Sequence, residues 1–349
     1  MERTDAPGHR RCVQTVVLTS VDSALGRRVA ARFEADDTID RVVGIDLGTH
    51  HGDELKARID GADVLVHLGR TGGVELDGTG AGGVDVAGTR ELLDAAGSVG
   101  LGTVVLLSSA TAYGAWPDNP VPLTEDAPLR PNPSLGFATH KAEVERLAAE
   151  WRQGHPSATV AVLRSTVAVA EDTADWLGAS LWSTMPLASA EEEPQAQFVH
   201  LDDLADAVIL AVSRRLDGPF NVAPDGWISG EDLRRLAGRG PAVRLSERLR
   251  ARLAGWGWKF GVSSTPPSIV PYRSHPWVVA NDRLRAEGWV ARHSNEEAFV
   301  ASHQPTGWST VSPQRRQEIA LAATGVVLAG VGVATGLVVL RLVRRTRQQ

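Results

Sequence analysis

The stretch that decides the fold begins with TVVLLSSATAYG (residues 103–114). Its first five residues are all aliphatic or β-branched, which is typical of a strand buried on both faces of a sheet. A loop rich in proline follows, and FATHKAEV (residues 137–144) then lies on a helix. A buried strand, a long loop and a helix in this order predict one unit of an α/β fold.

The rest of the chain repeats this alternation of strands and helices. VQTVVLT (residues 13–19) predicts a strand, and residues 25–33 predict the helix that follows it. Further strands are predicted at residues 41–46, 61–69, 158–164 and 218–224. Strands that alternate with helices predict a doubly wound parallel sheet of the Rossmann type.

The composition excludes several classes of function. A length of 349 residues allows one large domain or two. The net charge of −6 argues against nucleic-acid binding, which requires a basic surface. With Cys12 as its one cysteine, the chain has neither an intramolecular disulfide nor a cysteine-based metal site, and we expect no metal. Residues 1–11 contain no apolar stretch of signal-peptide length, so we expect no secretory signal.

Residues 103–144 resemble a segment of the extended short-chain dehydrogenases, the NAD-dependent epimerase/dehydratase family. In that family a strand ending in Ser-Ser-x-x-x-Tyr-Gly precedes a helix with Tyr-x-x-x-Lys. The resemblance implies that Ser109 and Lys141 are catalytic and that Lys141 also contacts the cofactor, NAD or NADP. It also implies that a tyrosine phenolate, whose pKa the lysine lowers, takes a proton from a substrate hydroxyl. Phe137 occupies the position of that tyrosine, so the central acid or base is missing.

The turn TSVDSALG (residues 19–26) resembles the family pattern Thr-Gly-x-x-Gly-x-x-Gly. In the family these glycines let the backbone approach the dinucleotide pyrophosphate at the helix N-terminus. The resemblance implies cofactor contacts by Thr19, Ser20, Ser23 and Gly26, although serines replace the first two glycines. Two interpretations stay open, because a serine hydroxyl can donate to a phosphate, while the same turn can also form without a nucleotide.

Two aspartates mark the adenosine end of the implied site. Asp46 lies twenty residues after Gly26, the usual distance for the acid that binds the ribose. Because about one strand of the family pattern is missing here, Asp46 ends either the ribose-binding strand or the strand after it. The other interpretation is a strand-end residue that caps a turn. Asp63 corresponds to the adenine-contacting position of the family, with the same alternatives.

Other segments match the family pattern at some positions and depart from it at others. Asp85 replaces an asparagine that supports the family's active site, and the family's Gly-Pro after Arg164 is absent. FVHLDDLADAV (residues 198–208) is close to the family's Phe-Val-His-Val-Asp-Asp-Leu-Ala. We expect a structural role for it, with Asp202 or Asp203 capping the helix.

The C-terminal tail differs in kind. Residues 319–340 carry no charge and would reach about 33 Å as a helix, enough to cross the hydrocarbon core of a bilayer. Arginines on both sides favour a transmembrane helix over a buried core helix. Gly332 and Gly336 would let two such helices pack closely, which would make the protein a homodimer. The arginines after the span favour a cytosolic C-terminal end, whereas the lack of an N-terminal signal favours a cytosolic globular domain, and a single span cannot satisfy both. On the absent signal and the family's cytosolic cofactor, we expect a membrane protein with a cytoplasmic globular domain.

Residues 246–258 predict an amphipathic, basic helix that ends near two tryptophans. Its arginines are Arg248, Arg250 and Arg252. They form either a solvated face or, in the alternative interpretation, contacts with lipid headgroups.

These observations divide the chain into five parts. The parts are a disordered N-terminus (1–12), a Rossmann dinucleotide-binding core (13–165), the remaining core with a small C-terminal substrate lobe (166–312), the transmembrane helix (319–340) and a basic tail (341–349). The family resemblance covers about residues 13–301, so it does not extend to the tail.

Three functions are compatible with this sequence. The first is an active oxidoreductase, epimerase or dehydratase acting on a nucleotide-sugar or similar alcohol. The second is a membrane sensor or scaffold that binds a dinucleotide or nucleotide-sugar without catalysis, which the departures at Ser20, Ser23, Asp85 and Phe137 favour. The third is an interaction domain that binds no cofactor.

Overall fold

The N-terminal strand–turn–helix of the computed structural model follows from its sequence. β1 (Gln14–Thr19) is an apolar run whose last four residues are buried. α1 (Ala24–Glu34) begins after Ser23, whose side chain accepts a hydrogen bond from the Gly26 N–H. Residues spaced by four form its buried stripe, and they are Leu25, Val29 and Phe33.

The structure describes residues 14–69, 81–171, 187–189, 195–236, 243–245 and 266–302, with positions 249, 252, 253, 255 and 256. The further strands are β2 (Ile39–Ile45), β3 (Val64–His67), β4 (Thr103–Ser109), β5 (Thr159–Ser165), β6 (Val167–Val169), β7 (Leu187–Ser189), β8 (Phe198–His200), β9 (Gly218–Val222) and β10 (Val243–Leu245). The further helices are α2 (Gly52–Ile59), α3 (Ala81–Ser98), α4 (Gly136–Gly154), α5 (Leu201–Ser213), α6 (Gly230–Leu236), α7 (Asp282–Ala286) and α8 (Asn295–Ser302). Short 3₁₀ turns cover Ala110–Tyr113, Pro267–Ile269 and Pro271–Arg273.

One parallel sheet organises these elements, with the strand order β2-β1-β3-β4-β5-β9. β1 pairs with β2 on one side and with β3 on the other, so the chain changes direction across the sheet at β1. The predicted Rossmann-type parallel sheet is therefore confirmed. The shortened N-terminal half is visible too, because β2 leads through α2 directly to β3.

The two faces of the sheet pack against different helices, as alternating strand residues require. Val16 and Leu18 of β1 belong to a cluster with α1 and α5. Val17, between them, belongs to a second cluster with α2, α3 and α4. All three side chains are fully buried, and each contributes about 1.5–3 kcal/mol of hydrophobic stabilisation.

A buried polar network joins the second half of the sheet. Nη2 of Arg164 in β5 lies 2.7 Å from Oε2 of Glu145 in α4, and both side chains are more than nine-tenths buried. Arg164 also donates to the Tyr113 hydroxyl at 2.7 Å, and Tyr113 donates to Asn221 in β9. Ser108 in β4 donates to Glu145 as well. Burying an ion pair is tolerated only when its polar atoms are satisfied in this way.

Within the described ranges, no helix is both long and apolar enough to cross a membrane. The predicted transmembrane helix at 319–340, with Gly332 and Gly336, lies outside those ranges. The predicted N-terminus (1–12) and basic tail (341–349) lie outside them as well.

Arg164→Met should lower the free energy of unfolding by about 3–5 kcal/mol, because it leaves the buried Glu145 carboxylate without its partner. Arg152→Met is the matched control, since Arg152 pairs with Asp217 where the two side chains remain 33% and 44% exposed. We expect it to cost less than about 1 kcal/mol. Urea denaturation of the full-length protein measures both, and equal losses would contradict a special role for the buried pair.

Candidate functional site

The candidate site lies at the point where the strand order of the sheet reverses, between β1 and β3. β1 ends at Thr19, β3 at His67 and β4 at Ser109, and in a parallel sheet these carboxyl ends share one edge. Ligands of doubly wound sheets bind outside the carboxyl ends at such a switch point. We call the space between the ends of β1 and β3 the crevice.

The serines of the β1–α1 turn both serve the protein's own backbone. Ser20 adopts a left-handed conformation with a φ of 54°, which is typical of glycine. Its hydroxyl donates to the carbonyl of Gly69, just after β3, and so bridges the crevice. Ser23 Oγ accepts from the Gly26 N–H at 2.9 Å and caps α1. The two positions that are glycines in the family therefore carry hydroxyls already engaged within the fold.

Gly26 permits a close approach of α1 to this turn. A Cβ atom at this position would lie 2.1 Å from the Ser20 carbonyl oxygen and 2.7 Å from that of Val21. Such distances are impossible for a side chain, so the turn requires glycine here. Gly26 thus has a packing role whether or not a nucleotide binds.

Thr19 is buried, and its hydroxyl holds the ends of β1 and β3 together. Its Oγ1 accepts from the Leu68 N–H at 3.0 Å and lies 3.0 Å from His67 Nδ1. His67 Nε2 lies 2.9 Å from the Thr89 hydroxyl of α3. Both ring nitrogens of His67 therefore have a hydroxyl partner, one on β1 and one on α3. Sequence analysis missed His67 and Thr89, although an imidazole inside an apolar strand signals a buried partner.

The structure separates the two predicted adenosine contacts. Asp46 follows β2, the strand beside β1, so it ends the strand that would bind the ribose. It is exposed, and its Oδ1 accepts from the Gly48 N–H at 2.9 Å, as in a turn cap. Asp63 lies at the amino end of β3, where it accepts from the Thr15 N–H at 2.8 Å. That is the edge opposite the crevice, so Asp63 is not brought together with the other predicted cofactor residues.

The predicted catalytic residues do come together at the end of β4. Lys141 is buried in α4, and its Nζ donates to the carbonyl of Leu107, two residues before Ser109 on the same strand. The Nζ also lies 5.8 Å from the centroid of the Phe137 ring. Ser109 Oγ accepts from the N–H and the hydroxyl of Thr111 at 3.2 and 3.0 Å. Their catalytic roles stay a prediction, because a phenyl ring stands where the proton-transferring phenol is required.

The two tyrosines of the chain offer no replacement phenol. Tyr113 is buried between Arg164 and Asn221, and burial raises the pKa of its phenol to about 12. Tyr272 is also buried and donates to the Thr111 carbonyl at 2.8 Å. Burial raises the pKa of Tyr272 well above its ordinary value. Neither phenol is suited to exchange a proton with a substrate near neutral pH.

The segment FVHLDD (residues 198–203) has a structural role, but not by the expected cap. The side chain of His200 caps α5 by accepting from the Asp202 N–H at 3.2 Å, so the expectation of an aspartate cap was wrong. Asp203 instead accepts from the backbone N–H groups of Arg292 and His293, both at 3.0 Å. Although histidines and acids gather here, no group of three in the described part of the chain could hold a metal.

Some predicted features lie outside the described residues. They include the side chain of Asp85, and Arg248 and Arg250 of the predicted basic helix.

Comparisons with known proteins agree with this geometry. Residues 18–223, more than half of the chain, match the model of the "NAD dependent epimerase/dehydratase family". The "Uncharacterized protein Rv0501" of Mycobacterium tuberculosis (strain ATCC 25618 / H37Rv) is 25% identical over 260 residues, which cover 67% of this chain and 68% of that protein.

Solved structures share the fold at lower identity. A UDP-glucose 4-epimerase of Thermus thermophilus, in complex with NAD, is 16% identical with a TM-score of 0.60 and covers 82% of this chain and 97% of its own. MoeE5, in complex with UDP-glucuronic acid and NAD, is 16% identical with a TM-score of 0.61 and the same coverage. At these identities the likeness shows the fold alone.

Phe137→Tyr tests whether Lys141 still creates the electrostatic environment of a catalytic phenol. The Lys141 charge favours the phenolate, so the introduced phenol should ionise at least one pH unit below the usual pKa of about 10. A spectrophotometric titration of phenolate absorbance measures this. The two native phenols have raised pKa values, so they do not interfere.

The matched control combines Phe137→Tyr with Lys141→Met. Removing the charge should return the introduced phenol to a pKa of about 10 or higher. If the phenol titrates at the same pH with and without Lys141, the inferred influence of the lysine is incorrect.

Proposed function

The chain belongs to the NAD dependent epimerase/dehydratase family, and from this premise we propose that it binds a nucleotide or nucleotide-sugar as a membrane-anchored sensor or scaffold, without the family's catalysis. One observation carries the proposal. The phenol position is Phe137, and both native phenols are buried in hydrogen bonds elsewhere. The proton transfer that the family assigns to tyrosine therefore has no phenol to perform it.

The crevice fits a dinucleotide in part, which supports binding in a modified form. Asp46 is exposed at the end of the strand beside β1, and within the described chain its Oδ2 accepts no hydrogen bond, so it can receive a ribose hydroxyl. Lys141 lies at the same edge of the sheet, beside the end of β4. Ser23, however, occupies the Gly26 N–H, one of the donors that a phosphate at this helix N-terminus would use. NAD, when bound, would supply a hydride acceptor.

Two similar proteins indicate the class of ligand. The MoeE5 structure is a complex with UDP-glucuronic acid and NAD, and the UDP-glucose 4-epimerase structure is a complex with NAD. A nucleotide-sugar or a nicotinamide dinucleotide is therefore the ligand class that we propose for the crevice and its surroundings. The adenosine end of a nicotinamide dinucleotide would lie toward Asp46, and its nicotinamide toward Ser109 and Phe137.

Membrane anchoring is the second part of the proposal. It is motivated by residues 319–340, which carry no charge and are bracketed by arginines. We propose a single span with the globular domain in the cytoplasm, where nicotinamide cofactors are available. Self-association through Gly332 and Gly336 would follow from the same span.

A second candidate is an active NAD(P)-dependent oxidoreductase or epimerase, and one observation favours it. Nδ1 of His140 is buried and has no hydrogen-bond partner among the described residues. His140 lies in α4 between Phe137 and Lys141, and an imidazole can transfer protons near neutral pH. Thr111 is a weaker substitute, because its hydroxyl already donates to Ser109.

Titration calorimetry of the full-length protein with NAD(H) and NADP(H) tests the binding proposal. We expect micromolar affinity for at least one of them. The variant Ser20→Gly with Ser23→Gly should bind about tenfold more tightly, or by roughly 1.4 kcal/mol, because it frees the Gly26 N–H and removes two side chains from the turn. Ser98→Gly, at the end of α3, is the control and should leave the affinity unchanged.

No binding at millimolar cofactor by either the wild-type protein or the double variant would overturn the proposal. The function would then be that of an interaction domain that binds no cofactor.

A further inference from the structure

Three exposed apolar residues lie close together in the sequence, outside the Rossmann core. Leu249 exposes 43%, Leu253 36% and Trp256 70% of its surface. Large apolar side chains exposed in a group mark an interaction surface more often than single ones do.

Their spacing places them on one face of a helix. Positions 249, 252, 253, 255 and 256 are helical. On the helix that the sequence predicts over residues 246–258, residues separated by four and by three positions are neighbours, so Leu249, Leu253 and Trp256 would form one stripe. Arg252, also exposed, lies beside this stripe. We call these four residues the interfacial face.

The surrounding sequence indicates what the interfacial face contacts. Residues 246–260 contain four basic residues and a single acidic one, Glu247, although the whole chain has a net charge of −6. Leucine and tryptophan on one face, with arginine and lysine around it, are typical of helices that lie in the headgroup region of a bilayer. Arginine can extend its charge toward phosphates while its aliphatic part covers apolar surface.

We infer that the interfacial face docks on an anionic bilayer surface. This inference rests on the proposed anchoring through residues 319–340, because a span in the same chain holds the domain near the membrane. Tethering raises the local concentration of the lipid surface, so a small face suffices for contact. The basic residues of 246–260 complement anionic headgroups, whereas a second copy of the face would present the same positive charge to them.

A fluorophore at position 253 tests this contact directly. The full chain, with Cys12→Ser to remove its one native cysteine, receives Leu253→Cys and an environment-sensitive label. Vesicles of phosphatidylcholine, with or without phosphatidylglycerol, carry a nitroxide-labelled lipid as quencher. Val300→Cys is the matched control, because Val300 is a similarly exposed apolar residue on α8.

We expect quenching at position 253 to be several-fold stronger than at position 300 on vesicles with phosphatidylglycerol. Adding Arg252→Glu should reduce the quenching at 253, since it reverses a charge beside the stripe. For the chain without Arg252→Glu, quenching at position 253 should be weaker on vesicles of phosphatidylcholine alone.

Three outcomes would overturn the inference. Equal quenching at 253 and 300 in vesicle-bound protein would contradict docking by the interfacial face but not the proposed anchor. Failure of the chain to associate with vesicles would contradict both the proposed anchor and docking by the interfacial face. A label at 253 that is already shielded before vesicles are added would assign the face to a second copy or to another segment of this chain.

Discussion

The structure depends on the close contact between Gly26 and the carbonyl of Ser20. A side chain at position 26 would overlap that oxygen, so glycine alone lets α1 begin against the turn that ends β1. This contact sets the position of α1 on the sheet. Ser20 itself adopts a left-handed conformation, from which its hydroxyl reaches the carbonyl of Gly69 beyond β3.

Polar side chains around the crevice make hydrogen bonds to other groups of the same chain. Thr19 forms a hydrogen bond with His67, and Ser23 caps α1. Ser109 accepts a hydrogen bond from the Thr111 N–H. These hydrogen bonds join the ends of β1 and β3, cap α1 and order the turn after β4. At Phe137 the chain also lacks the phenol that the family uses for proton transfer.

Sequence patterns predicted the elements well, because local periodicity determines them. The strand–turn–helix at residues 13–33 and the family segment at 103–144 both appear as expected. The sequence left two alternatives for Asp46, and only strand pairing could decide that it ends the strand beside β1.

Contacts between distant residues were beyond the reach of sequence patterns. Asp63 matched a family position, yet the register of β3 puts it at the opposite edge of the sheet. The His200 cap was missed because an imidazole is an unusual N-cap. The Arg164–Glu145 pair joins a strand to a helix, and neither residue carries a pattern that indicates the other.

The central claim is that the fold retains a ligand crevice without the family's proton transfer. Its most direct test is the absorbance of reduced nicotinamide when cofactor-saturated, full-length protein is mixed with a panel of nucleotide-sugars. The account predicts that the wild-type chain forms no reduced cofactor and leaves the sugars unchanged. Reduced cofactor formed by the wild-type chain, and lost on His140→Asn, would contradict the claim and identify an active enzyme with a different acid or base.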